Sequence, residues 1–257
     1  MVSHMRFSAE GSFLVPRRLF VGVQYPLASA LPPDGGLAPG ERGLPAGRRT
    51  LPGNIEAHVR AVFPLPTSLE IGFMLAVAAP TAAIGRDRAD RSAALAAASL
   101  DPTDVPLFLP GRVSLRPAAD LRILRGPLVL QGRHGIDIMI DGAGTETVKL
   151  AGRLIAHVGW LPRPDLELSF EASQLYFFAS EERVDATVSA ENAFAEKYRI
   201  TDERRSLLTL GPGIRYALRD ADLGLSLITN LGNPLAPSGS GFFGLRISVI
   251  GHVRPSR

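Results

Sequence analysis

The chain has no cysteine, which excludes disulfide bridges and thiolate metal sites. Lysine is almost absent too. Lys149 and Lys197 are the only two, so the positive charge is carried by arginine. Those arginines are scattered rather than gathered into runs, and the formal net charge of the 257 residues is only +3. A nucleic-acid-binding face is not expected from that dispersal. No segment offers the ~18 uninterrupted apolar residues that a membrane-crossing helix needs. The nearest run, Ile71 to Ala83, is interrupted by Pro80 and Thr81. The start, Met1 to Met5, has neither the basic nor the apolar region of an export signal. For an exported protein this implies a mature or truncated form, with Ser3-His4-Met5 as a cloning scar. Aromatic residues make up 7% of the chain and include one tryptophan.

What is present instead is strict two-residue alternation in segments of about ten residues. Ile55, Ala57, Val59, Ala61 and Phe63 are apolar, with Glu56, His58 and Arg60 between them. Val113, Leu115, Ala119, Leu121 and Ile123 alternate in the same way with Arg112, Ser114, Arg116, Asp120 and Arg122. Successive side chains of a strand point to opposite faces, so each segment has one apolar and one charged face. Ordinary strands run to ~5–6 residues, whereas a tilted strand crossing a bilayer takes ~9–11. The pattern therefore predicts an all-β fold: an antiparallel up-and-down transmembrane β-barrel spanning residues 5–253, with lipid outside and a polar lumen.

Turn chemistry divides the chain into about eleven strands. They are Arg6–Val15, Leu19–Leu27, Asn54–Phe63, Ser68–Val77, Arg112–Leu124, Leu128–Asp141, Thr147–Leu161, Leu166–Phe178, Ser206–Leu218, Leu223–Leu231 and Phe242–Val253. Short turns near residues 16, 65, 126, 163 and 220 alternate with longer connections, of which 28–53, 78–111 and 179–205 are the longest. Outer-membrane barrels have this order of short periplasmic turns and long extracellular loops. Short helices are expected within the loops, over Arg88–Ser99 and Glu191–Tyr198. Aromatic residues collect at strand ends. Phe13, Phe63, Trp160 and Tyr216 flank short turns, while Tyr25 and Tyr176 lie near long loops, as two interfacial girdles would. Single-chain bacterial barrels have even strand numbers. An odd count implies a twelve-stranded parent with one strand upstream, or a ten-stranded barrel if the weakly alternating stretch Leu128–Asp141 is misdivided.

The last third of the chain resembles the C-terminal strands of outer-membrane channel and porin-like proteins. The residues that carry this are Leu210-Gly211-Pro212-Gly213-Ile214-Arg215-Tyr216, Leu223-Gly224-Leu225-Ser226-Leu227 and Phe243-Gly244-Leu245-Arg246-Ile247-Ser248-Val249. Gly72 to Thr81 is similar to a strand-to-loop junction of such proteins. The chain departs from them at its end, His252-Val253-Arg254-Pro255-Ser256-Arg257, which lacks their terminal aromatic. The resemblance implies a class and no particular solute.

On alternation parity the lumen is lined by Arg60, Arg112, Arg116, Asp120, Arg122, Lys149, Arg153, Glu167, Glu171, Arg215 and Arg246, with Glu10, Glu56 and Glu70 adding negative charge. Arginine rings favour anions, and arginines facing acids set a transverse field. In a small barrel the same charges also pair with one another to fill the lumen. No catalytic, cofactor-binding or metal-binding residue is expected. His58, His134, His157 and His252 are scattered without a distinctive serine partner, and Gly211-Pro212-Gly213 lacks the lysine of a phosphate loop. Two readings follow: a passive outer-membrane channel or transporter for small polar solutes, anions among them, and a structural or surface-interaction barrel working through its long loops. A soluble all-β sandwich is the third, with its charged faces wet. The expected partners are the outer-membrane bilayer and small polar solutes.

Overall fold

The computed structural model describes residues 2–13, 19–30, 49–66, 68–82, 105–108, 112–141, 148–178, 206–218, 221–231 and 243–251. The described residues are almost entirely strand. The strands are β1 (Val2–Phe13), β2 (Leu19–Ala30), β3 (Arg49–Pro52), β4 (Glu56–Leu65), β5 (Leu69–Ala78), β6 (Arg112–Arg125), β7 (Leu128–Asp141), β8 (Lys149–Arg163), β9 (Leu166–Phe177), β10 (Ser206–Ala217), β11 (Ala221–Leu231) and β12 (Phe243–Gly251). All belong to one antiparallel sheet in which each long strand pairs with the next in sequence, and only β3 stands off that path, against β2. This is the up-and-down order expected of a transmembrane barrel. Among the described residues no ladder joins β1 to β12.

Leu128–Asp141 is one unbroken strand despite its glycines, paired along its length with β6 and β8. Three departures from the sequence-based boundaries stand out. β1 starts at Val2 rather than at Arg6, so that Ser3, His4 and Met5 are part of the sheet, paired with Ser29, Ala28 and Leu27. The connection 28–53 is shorter than expected, because β2 continues to Ala30 and Arg49–Pro52 returns against its last four residues. Gly53 to Ile55 lie outside the strands, so β4 starts at Glu56 rather than at Asn54. Three described short turns hold proline or glycine: Pro66, Gly126-Pro127 and Pro164. Arg125 pairs with Leu128 around a two-residue turn, and Gly126 takes a φ of 59°. Positive φ at the first position of such a turn suits glycine because it has no Cβ to clash. Of the helices expected in the loops, both Arg88–Ser99 and Glu191–Tyr198 lie outside the described residues. The helical turn that is described, α1 (Val105–Phe108), sits elsewhere in the same long connection.

The distribution of side chains is inverted relative to a water-soluble protein. Outward positions carry exposed apolar residues: Val59 and Phe63 on β4, Phe73, Leu75 and Val77 on β5, Leu150, Leu154, Val158 and Trp160 on β8, and Leu223, Leu225 and Leu227 on β11. Buried positions carry Glu56, Arg116, Asp120, Asp137, Arg153, Glu167, Ser173 and Thr209. Soluble monomers rarely expose a contiguous apolar patch larger than a few hundred Å². A band formed by successive strands is explained by a hydrocarbon solvent, in which every backbone N–H and C=O must also be paired within the protein. The ladders between neighbouring strands from β1 to β12 meet that second demand for the strand edges they join.

Replacing an outward, mid-strand residue with a charge tests the orientation. Leu154→Arg is expected to destabilise the vesicle-refolded protein by about 2–4 kcal/mol, the scale for arginine near a bilayer midplane, in urea unfolding followed by Trp160 fluorescence. An unchanged midpoint would contradict an outward, lipid-facing Leu154.

Candidate functional site

The inner wall is organised by arginines that reach across strands to carboxylates. On β4, β6, β7 and β8 the inward positions hold Glu56, Arg116, Asp137 and Arg153 at similar depth. Arg116 is 3% exposed at its side chain and joins Glu56 on one side to Asp137 on the other, with Nε 3.1 Å from Asp137 Oδ1. Arg153 Nη1 lies 3.1 Å from the same carboxylate oxygen. Gln24 on β2 donates to Glu56 and extends the row to a fifth strand. A second row lies closer to the short turns. Arg60 grips Asp120 through Nε (3.2 Å) and Nη2 (2.8 Å), and Arg133 Nη2 stands 3.7 Å from its other side. Two-pronged arginine–carboxylate contacts of this kind fix orientation as well as charge.

Glycine makes room for these contacts. A Cβ on Gly72 would fall 2.5 Å from Asp120 Oδ1, and one on Gly159 would strike the Glu167 carboxylate. Gly72 stands directly opposite Asp120, and Gly159 stands opposite Ser169, two residues from Glu167 on β9. The charged side chain lies flat over the glycine and so reaches the next strand.

Near the short turns a third group gathers. His157 Nε2 is 2.7 Å from Glu167 Oε1, Arg215 Nη1 is 3.6 Å from Glu167 Oε2, and Arg215 Nη2 is 3.0 Å from Asp222 Oδ2. Arg122 meets Glu70 at 3.4 Å. Alongside lies a cavity of about 200 Å³ lined by His157, Glu167, Ser169, Glu171, Thr209, Gly211, Gly213, Arg215, Gly224 and Ser226. Its lining sets the charged Glu167, Glu171 and Arg215 among small residues of β9, β10 and β11, whereas β4 to β8 present rows of long paired charges. The small residues leave space on that wall.

Among the residues assigned to the lumen from sequence, Arg60, Arg116, Asp120, Arg153, Glu167 and Arg215 enter these networks. Arg122 pairs locally, and Glu171 lines the cavity. Arg112 and Lys149 stand near the long-loop end, in register with Asp141 and Met139. Arg246 is in register with Ser226, and its side chain lies outside the described residues, as does that of Phe13. Phe63, Trp160, Tyr176 and Tyr216 are exposed, and Tyr25 is half-buried. Phe63 packs edge-on against Phe73 with ring centroids 6.2 Å apart. His134 is exposed on the outward parity. Sequence reasoning missed Asp137, Arg133, Asp222 and Asn54. Asp137 and Arg133 share the inward parity of β7, but the glycines at 132 and 135 weaken the pattern there.

The chain's structure is similar to two solved channels. One is the NanC porin in a rhombohedral crystal form, at 8% identity and a TM-score of 0.58, covering 98% of this chain and 94% of that one. The other is an outer-membrane channel from Pseudomonas putida F1, at 13% identity and a TM-score of 0.60, covering 97% of this chain and 82% of that one. The fold is that of an outer-membrane β-barrel. At these identities the likeness concerns fold alone, and it agrees with the porin-like resemblance read from the last strands. No protein-family model matches the chain, and no curated protein does.

Asp137 is the keystone of the upper row, fully buried between two guanidinium groups. Removing one partner of a buried ion pair leaves an uncompensated charge, at a cost of about 3–5 kcal/mol. Asp137→Ala is expected to destabilise the barrel on that scale in urea unfolding, and Gly72→Ala by about 1–3 kcal/mol through crowding of Asp120. Wild-type midpoints for both variants would contradict the assigned packing.

Proposed function

We propose that the protein resides in the bacterial outer membrane as a passive channel for small polar solutes, admitting anions in preference to cations. The apolar outer band supports the membrane setting, as does the likeness to two outer-membrane channels. The observation that carries the transport reading is the division of the lumen. Charges on β4 to β8 are paired in rows, while serine, threonine and glycine on β9 to β11 leave a polar space around Glu167, Glu171 and Arg215. Paired charges of opposite sign set a field across a pore without trapping a permeant ion.

The anion preference rests on donors left over after pairing. Arg153 Nε and Nη2 and Arg133 Nε have no hydrogen-bond partner among the described residues. Cationic N–H groups in a low-dielectric wall attract anions more strongly than they would in water. Transport rather than catalysis is proposed, because the ring of His157 is engaged with Glu167 as one member of a charged network on the wall.

Protein refolded in detergent is expected to migrate differently on gels before and after boiling, as closed barrels do. In planar bilayers under a salt gradient it is expected to conduct, with a reversal potential on the anion side. Arg153→Gln should move that potential toward cation selectivity. Heat-modifiable protein that never conducts would overturn the channel reading, and cation preference in the wild type would overturn the solute class.

A further inference from the structure

The long connection between β5 and β6 has one stretch that is buried as deeply as any part of the protein. Val105 and Leu107 have no exposed surface, and Phe108 is 1% exposed. These residues of α1 cluster with Ala78, Met139, Ala151, Leu175, Phe177 and Leu207. The wall residues come from β5, β7, β8, β9 and β10. On β7 to β10 they share the inward parity of Asp137, Arg153, Ser173 and Thr209. The sheet therefore wraps around α1, and α1 occupies the lumen at the long-loop end. Sequence reading placed all of 78–111 in an extracellular loop, because its apolar Val105-Pro106-Leu107-Phe108 has no periodic pattern to mark it.

One buried side chain holds this segment in place. Asn54 Nδ2 donates to the Pro106 carbonyl at 3.0 Å, and its backbone N–H donates to the Leu107 carbonyl at 2.6 Å. Its Oδ1 accepts from the Ala82 N–H at 2.9 Å. The same asparagine thus ties down the connection as it leaves β5 and again where it enters the lumen. Gly53 beside it has no side chain to block the approach, since a Cβ there would lie 2.6 Å from the Leu107 carbonyl oxygen. A fully buried amide saturated in this way specifies a single arrangement of the backbone around it.

We infer that α1 is an apolar constriction latched into the lumen by Asn54, and that it, rather than the charged rows, sets the largest solute that enters. This rests on the channel reading above and deepens it. An apolar narrowing ahead of a charged, polar lumen limits passage by size and by the ease with which it dewets. A small, weakly hydrated polar solute crosses it, while a bulky or multiply charged one is refused before it meets the arginines.

Two measurements test this, one of which is independent of conduction. The chain contains no cysteine, so Leu107→Cys introduces a unique thiol. In the refolded protein that thiol is expected to resist a membrane-impermeant maleimide, and adding Asn54→Ala should speed labelling at least tenfold. Equal labelling rates with and without Asn54 would overturn the latch. In planar bilayers, Asn54→Ala is expected to raise single-channel conductance at least twofold and to admit larger uncharged polymers. Released labelling with unchanged conductance and size cut-off would overturn the constriction. If neither wild type nor variant conducts, the channel reading fails, and the labelling result still judges the latch.

Discussion

The arrangement of this protein depends on the Asp137 carboxylate, held between Arg116 and Arg153 inside the sheet. A strand whose outer face is apolar must turn its other face inward, because the side-chain period is two. Here the inward residues are long and charged. They are tolerable in a buried interior only when each charge meets its opposite, since isolated buried ions shift the balance by several kcal/mol. The Glu56–Arg116–Asp137–Arg153 row meets that demand across neighbouring strands, and Arg60–Asp120–Arg133 repeats it below. The rows also fix register, because a one-residue slip of any strand would send its charges into lipid and its apolar residues into the lumen.

Most of the fold was legible in the alternation, and specific residues show why. Leu128–Asp141 could be bounded to the residue because turn-forming Gly126-Pro127 precedes it and a glycine-rich stretch follows. The inward set on β6 was equally plain, since Arg112, Arg116, Asp120 and Arg122 alternate with apolar neighbours. What parity does not encode is partnership. It puts Arg116 on an inner face, yet its meeting with Asp137 depends on sheet register, and the reach of Asp120 to Arg60 depends on the space left by Gly72. Asn54 was invisible for a related reason. It lies in an irregular stretch between β3 and β4, where its role is set by a segment about fifty residues later in the chain.

The interior therefore has three levels with different physical characters. At the long-loop end it is apolar and occupied by α1, in the middle it is crossed by paired charges, and toward the short turns it opens into a space lined by charged, hydroxyl and glycine residues. A solute passing from one end to the other would exchange dewetting, a transverse field and hydrogen bonding in turn. On the channel function proposed above, such a sequence would favour molecules that are small and polar.

The central claim is that the apolar faces of these strands meet lipid while the charges turn inward. The chain's single tryptophan, Trp160, is 49% exposed on the outer face of β8 near a short turn. Refolding the protein into vesicles whose acyl chains carry bromine, and comparing its fluorescence with that in unbrominated vesicles, tests the claim directly. The account predicts strong quenching of Trp160 by the brominated chains. Emission that is unaffected by bromine, from a protein that stays in the aqueous phase, would contradict it.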